Sequence, residues 1–490
     1  MHRSNAITGH GRKSRRYERG GIAMFSFARR LPFWLRLAGA AGFSAGPLAA
    51  STDPAGTGGV ASAPWVEPGP LATGQDVSTV PPAAAGLDPS GPAATAMPAP
   101  IEEAPVVVVD GAKQSIGRPD IAPIVEVRTT YDDNIFISPT NRQSDYYTTV
   151  VAGLALGWGE FRDRLMPLGS FQQNYEQLIN SDFDTRQFLF ASYTPGYTVF
   201  AKHPSENTLD QNASLGARGC FGNLTCDVRA DYKLFSEGVA EVGNRVRQSQ
   251  VNVDFDSQYQ ISARTSAEVD LNVVTHHYDQ NFYVNSSEWI DRNYLGYQVM
   301  PKTNVSAGCT LGYVDVDQGS NQTYEQALAR IDYDTGQRIS ANLFGGVEFR
   351  QFVDGGASFI NPVFNAEILY SPFDGTNISL SGERVVANSA EYVGENDVIT
   401  RVSVTLSQAI YQKLTLSLQG SYYNYNYGAG SGGGDIQRTD NGLRFEASAA
   451  FHVTPYLAVN LAYDYWHNES NLNPFNFDDN RATLDLDLLF

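Results

Sequence analysis

The sequence predicts an all-β fold: a closed antiparallel transmembrane β-barrel of about 18 strands, in a range of about 16–20, behind a signal peptide and a disordered linker. Three observations carry this. Segments alternating apolar with polar residues recur from residue 121 to residue 490. The connections between them are alternately tight and long, as a barrel with short turns on one side and loops on the other requires. A basic stretch, an apolar stretch and then small residues precede the whole series.

The N-terminal element comes first. Residues 1–23 are basic and polar, and Met24 offers a second start. Arg29 and Arg30 then lead into "LAGAAGFSAGPLAA", Leu37 to Ala50. This order reads as a secretory signal peptide over residues 1–50, cleaved near Ala50. Residues 51–120 are rich in Pro, Ala and Gly. Such a stretch buries too little apolar surface to offset its ordering entropy, so it is expected to be a disordered periplasmic linker. Residues 121–490 are the expected barrel in the outer membrane of a Gram-negative cell.

The strands follow. "QVNVDFDS" sets Val251, Val253 and Phe255 against Asn252, Asp254 and Asp256. "AEVDLNV" sets Val269 and Leu271 against Glu268 and Asp270. "LRFEASAAFHV" and "YLAVNLAY" repeat the period of two that marks a strand with unlike faces. Tight turns are expected at 300–303, 334–337, 411–413 and 453–455, and long loops at 236–246, 279–289, 389–396, 428–439 and 468–476. The stretch around 195–203 is the weakest strand.

Composition excludes other classes. A net charge of -19 disfavours nucleic-acid binding, which needs a basic surface. The chain contains no apolar run long enough for a transmembrane helix, for which about 18 residues are needed. With 26 Tyr, 26 Phe and 45 Gly, the composition suits strands and turns.

If the apolar faces meet lipid, the polar faces line a lumen. Its acidic candidates are Asp254, Asp256, Glu268, Asp270, Asp332 and Asp334, with Glu348, Glu446, Asp485 and Asp487. Its basic candidates are Arg350, Arg401 and Arg444. The acidic excess predicts a channel for cations or neutral hydrophilic solutes. A structural or adhesive barrel plugged by its own loops is the alternative, and a barrel enzyme is a third reading. No Ser-His signature or spaced carboxylate pair supports an enzyme, and no cofactor is expected.

The last strand, "RATLDLDLLF", places Leu484, Leu486, Leu488 and Phe490 on one face. It resembles the C-terminal signal of outer-membrane proteins, which implies the barrel-assembly machinery and outer-membrane lipid as partners. The expected barrel opens on "PIVEVRTTYDDNIF", Pro123 to Phe136. This opening is similar to the start of the putative beta-barrel porin-2 family, and the resemblance extends over residues 121–490. It implies an even-stranded outer-membrane barrel. It also implies export of exopolysaccharide, with polysaccharide and periplasmic export proteins as partners.

Other residues have plainer readings. Cys220 and Cys226 flank a Gly-Asn turn, close enough for a disulfide across a hairpin, with two unpaired thiols as the alternative. Cys309 falls on an apolar face. His276 and His277 are adjacent, so a strand points them opposite ways and they make no metal site. Tyr422, Tyr423, Tyr425, Tyr427, Tyr463, Tyr465 and Trp466 are expected in the interfacial aromatic girdle.

Overall fold

The computed structural model describes residues 120–159, 187–335, 338–355, 358–411, 413–428, 438–454 and 456–489. The signal-peptide and linker expectations lie outside them, as does Phe490.

The described strands are β1 (Asp120–Asp132), β2 (Asp145–Gly159), β3 (Phe188–Tyr193), β4 (Gly196–Phe200), β5 (Thr208–Phe221), β6 (Leu224–Val239), β7 (Asn244–Ser262) and β8 (Thr265–Tyr278). They continue as β9 (Ser286–Met300), β10 (Thr303–Val316), β11 (Gln322–Asp334), β12 (Ile339–Phe352), β13 (Ser358–Phe373) and β14 (Thr376–Asn388). The series ends with β15 (Asn396–Ile410), β16 (Leu414–Tyr427), β17 (Thr439–Thr454), β18 (Leu457–Ser470) and β19 (Phe477–Leu489).

Neighbours in sequence pair antiparallel, except that β3 and β4 each pair with β2 and β5 and not with each other, and β1 pairs with β19 from Ile124↔Leu489 to Asp132↔Arg481. The sheet therefore closes on itself and leaves no edge, the condition for strands to cross lipid. The expectation that the last strand seals against the one near Pro123 is met.

The weak strand near 195 has a specific cause. β3 and β4 share one register against β2 and one against β5, so they are two halves of a single barrel strand. The break is Thr194-Pro195, where the ring removes a ladder donor. Pro195 still accepts from the Ala152 N–H at 3.2 Å, and the Thr194 N–H donates to Asn212 at 2.8 Å. Counted this way the barrel has 18 strands, the middle of the expected range.

The connections alternate, but less unequally than expected. On the side where β1 begins, β13 turns into β14 through Asp374-Gly375, with Gly375 at φ 76° as a tight hairpin needs. On the other side, the loop expected over 236–246 is only the turn 240–243, because β6 and β7 run longer than their apolar alternation suggested. Ladder hydrogen bonds continue there without an apolar outer face.

The apolar residues lie outside. Leu271, Val404, Leu461 and Leu484 are all exposed on the outer face, while their neighbours in sequence point inward. No helix among the described residues is long and apolar enough to span a membrane. A cluster of buried apolar side chains collects at the loop end of the bore, around Ile137, Ala240, Ile399, Tyr427, Trp466 and Phe477.

Candidate functional site

The period of two fixes what faces the bore. Strand by strand, the side chains flanking the exposed apolar ones point inward. All the acidic and basic lumen candidates fall on this inner face. Asp334 is the exception in depth, since it sits exposed at the end of β11. Leu484 and Leu486 are exposed on the outer face and Leu488 is half-buried.

The inner arginines do not stand alone. Arg350 meets Glu348 at 2.7 Å and donates to the Val386 carbonyl at 3.1 Å. Arg330 grips Glu268 through two nitrogens, at 3.1 and 2.5 Å. Arg444 holds Asp464 at 2.9 and 2.8 Å. Arg401 approaches Glu383 at 3.9 Å. Arg128, which the lumen candidates omitted, lies between Glu126 at 2.6 Å and Asp485 at 3.2 Å. Arg292 pairs with Asp270 at 2.7 Å.

These pairs neutralise the six arginines and leave several inner carboxylates outside them. Asp254 is hydrogen-bonded by Asn272 and Asp487 by Asn460. Neither they nor Asp256 and Glu446 form an ion pair among the described residues. Opposite charges on successive inward positions cancel locally, so the surplus acids set the sign of the field along the bore.

Glycine shapes the same wall. Gly308 faces Tyr294 and Gly312 faces Tyr324 across the ladder. A Cβ at either glycine would overlap the facing ring, so the tyrosines lie flat against the wall. Arg330 then stacks over Tyr294 and Arg350 over Tyr324, each 4.4 Å from the ring centre. Spacing along one strand could not reveal these layers, because glycine, ring and arginine come from different strands.

The girdle expectation is corrected here. Tyr422 and Tyr463 do face outward, at 44% exposure each. Tyr423, Tyr425, Tyr427 and Trp466 face the bore and are buried. Alternation along β16 makes this unavoidable, because Tyr422 and Tyr423 are neighbours. The disulfide expectation is also corrected. The register sets Cys226 opposite Gly219 and Cys220 opposite Thr225. An offset of one residue points the two side chains to opposite faces, and no disulfide joins them. Cys309 is exposed on the outer face, as its apolar neighbours indicate.

Two carboxylate triplets come close enough to share an ion: Glu126 with Asp485 and Asp487, and Asp132 with Asp133 and Asp479. In each, an arginine already supplies positive charge. Arg128 serves the first, and Arg481 serves the second at 3.3 Å from Asp132 and 2.6 Å from Asp479.

The outer mouth was not legible as a site. Arg438 there is wholly buried. It pairs with Asp440 at 2.5 Å and donates to the carbonyls of Ala240 and Glu241 at 2.9 and 2.5 Å. Its guanidinium stacks on Tyr427 at 4.2 Å and on Phe475 at 3.3 Å. Burial and the neighbouring Glu241 push the Glu391 carboxyl above its usual range, against the opposing pull of Arg438.

The wall is polar inside and sealed without an edge, as strands that cross a membrane require. Residues 295–490 match the family model "Putative beta-barrel porin 2". The resemblance read from the sequence is thereby shown for β10 to β19, while the opening motif at Pro123 lies outside the matched stretch. No curated protein sequence matches the chain. Among solved structures, the chain is similar to the outer membrane protein OpdK of Pseudomonas aeruginosa, with 10% identity and a TM-score of 0.38 over 76% of this chain and 98% of that one. It is also similar to OccAB3 of Acinetobacter baumannii, with 9% identity and a TM-score of 0.39 over 76% and 99%. The ferric citrate transporter FecA aligns at 12% identity and a TM-score of 0.35 over 71% of this chain and 60% of that one. What passes through this barrel has to be read from its own residues.

Proposed function

We propose that this barrel is a porin-like channel of the outer membrane that passes small hydrophilic solutes and prefers cations. One observation carries the preference. The inward arginines described above are paired with carboxylates, whereas Asp254, Asp256, Glu446 and Asp487 have no ion pair among the described residues. A bore with surplus acids concentrates cations at its entrance and raises the barrier to anions. The reading is of a channel and not of an enzyme, since each of the two carboxylate clusters is already held by an arginine and the other inner carboxylates are spread along the bore.

The test is reversal potential in a planar bilayer under a salt gradient. A cation-selective potential supports the proposal, and an anion-selective one overturns it.

Export of exopolysaccharide is the narrower reading, supported by the family resemblance. It asks more of the mouth, because a polymer needs a continuous opening and loops from several strands meet there. Deleting the gene in its native host and measuring surface polysaccharide tests it. Unchanged polysaccharide would remove the export role and leave the channel reading intact.

A further inference from the structure

The turn between β6 and β7 is the meeting point of the outer mouth. Residues 240–243 make this turn, closed by the Val242 and Gly243 N–H groups donating to the Val239 carbonyl at 3.1 and 2.8 Å. Four other loops converge on it. Ile137, from the β1–β2 loop, packs against Gly238. Glu241 receives three hydrogen bonds from the β14–β15 loop: Ser389 Oγ at 2.6 Å, the Ala390 N–H at 2.7 Å and the Glu391 N–H at 3.0 Å. Arg438, from the β16–β17 loop, takes the carbonyls of Ala240 and Glu241. Phe475, from the β18–β19 loop, lies where a side chain on Gly243 would stand, 2.9 Å from its Cβ position, and Gly243 is at φ 67°.

The strand order gives these contacts their meaning. Going round the barrel, the β6–β7 turn and the β14–β15 loop are almost half a circumference apart. A contact between them must span the mouth. The polar ends of the span are fully used: one carboxylate oxygen takes three donors, and one guanidinium takes two carbonyls. Such contacts are directional and few, and they break as a unit. The wall beneath does not depend on them, because its ladders close without the turn.

We propose that residues 240–243 form a strap that closes the channel at its outer end, latched by Glu241 to the Ser389–Glu391 backbone and by Arg438 to the strap's own carbonyls. This rests on the channel reading above and adds its regulation. Release of the strap opens the bore, and the barrel wall stays folded.

The experiment is single-channel recording on the full-length protein in planar bilayers. Glu241→Ala and Arg438→Ala should each raise mean conductance or open probability several-fold over wild type. A second pair of changes avoids weakening the fold. Glu241→Cys and Ala390→Cys, with the three native cysteines replaced by serine, can be bridged by a short bifunctional maleimide. Bridging should hold the channel shut, and either single cysteine treated alike should leave it gating. The heat-sensitive gel mobility of a folded barrel confirms that each variant has assembled.

If wild type conducts and neither release nor bridging alters the current, the strap is overturned and the channel stands. If no variant conducts, even with the strap released, both are overturned.

Discussion

In the wall of the barrel, Arg350 reaches Glu348 two residues away on its own strand. At the mouth, Arg438 reaches carbonyls on a turn far round the barrel. Both arginines are buried, and both stack on a tyrosine. They differ in what holds their partners. Glu348 is carried by the same ladder as Arg350, so the pair forms whenever the strand does. Asp440 is likewise two residues from Arg438, but the carbonyl partners of Arg438 on Ala240 and Glu241 arrive only when separate loops fold inward together. The wall is therefore set by pairing, and the mouth by packing. The first resists single changes and the second does not.

The largest effect should come from Arg438→Ala. It leaves Asp440 buried without its cation and two carbonyls without donors, a loss of about 3–5 kcal/mol. That loss should fall on the mouth, and limited proteolysis should then cut within 389–395 while the folded gel mobility persists. If the whole barrel unfolds instead, wall and mouth are one cooperative unit and the contrast fails.

Charging the outer face of the wall comes next. Leu484 lies near the centre of β19 and faces outward. Leu484→Lys should cost about 2–4 kcal/mol at mid-membrane depth, read from urea titration of the barrel in detergent or lipid. A variant as stable as Leu484→Val would mean that this face does not meet lipid.

Gly442→Ala probes the junction between the two regions. Its new methyl would overlap the ring of Tyr423, whose hydroxyl accepts a hydrogen bond from the Trp466 indole N–H. A cost of about 1–3 kcal/mol is expected, and Tyr423→Ala in the same chain should recover part of it. Additive losses would show that ring and glycine do not act together.

Selectivity should move less. Asp256→Asn with Glu446→Gln removes two of the surplus acids, and the cation-to-anion permeability ratio should fall without change in stability of the fold. An unchanged ratio would locate the selectivity elsewhere than in these acids.

The smallest effect is that of pH at the mouth. Burial and Glu241 raise the Glu391 carboxyl, so the packed mouth binds a proton more readily than a released loop does. Its contribution is fully present below the ordinary carboxylate range and is lost as pH rises through the raised value. Lowering the medium from about pH 7 to about pH 5 should therefore reduce conductance, and Glu391→Gln should flatten the response. A conductance that rises on acidification would reverse the sign assigned to Glu391.

Much of the wall was legible. Alternation placed Asp254, Glu268, Glu348, Arg444 and Asp485 on the inner face, because a strand has only two faces and the apolar one needs lipid. The strand count was legible for the same reason, apart from the break at Pro195, where one strand reads as two short pieces. Tyr423, Tyr425, Tyr427 and Trp466 were misplaced because aromatic character suggested an interface while parity required the bore. Cys220 and Cys226 were misread because proximity in a hairpin says nothing about face until the register is known. Arg438 gave no signal at all, since it follows a Gly-rich loop and its partners other than Asp440 are scattered along the chain.

The sequence alone determined the two-faced wall, its polar bore and the alternation of its turns, since these follow from the period of two along each strand. Only the tertiary structure decided which inner charges cancel, which acids remain, and that a short turn spans the mouth. Those outcomes depend on register and on loops brought together by closure of the sheet, and no local pattern of residues encodes a contact across a barrel.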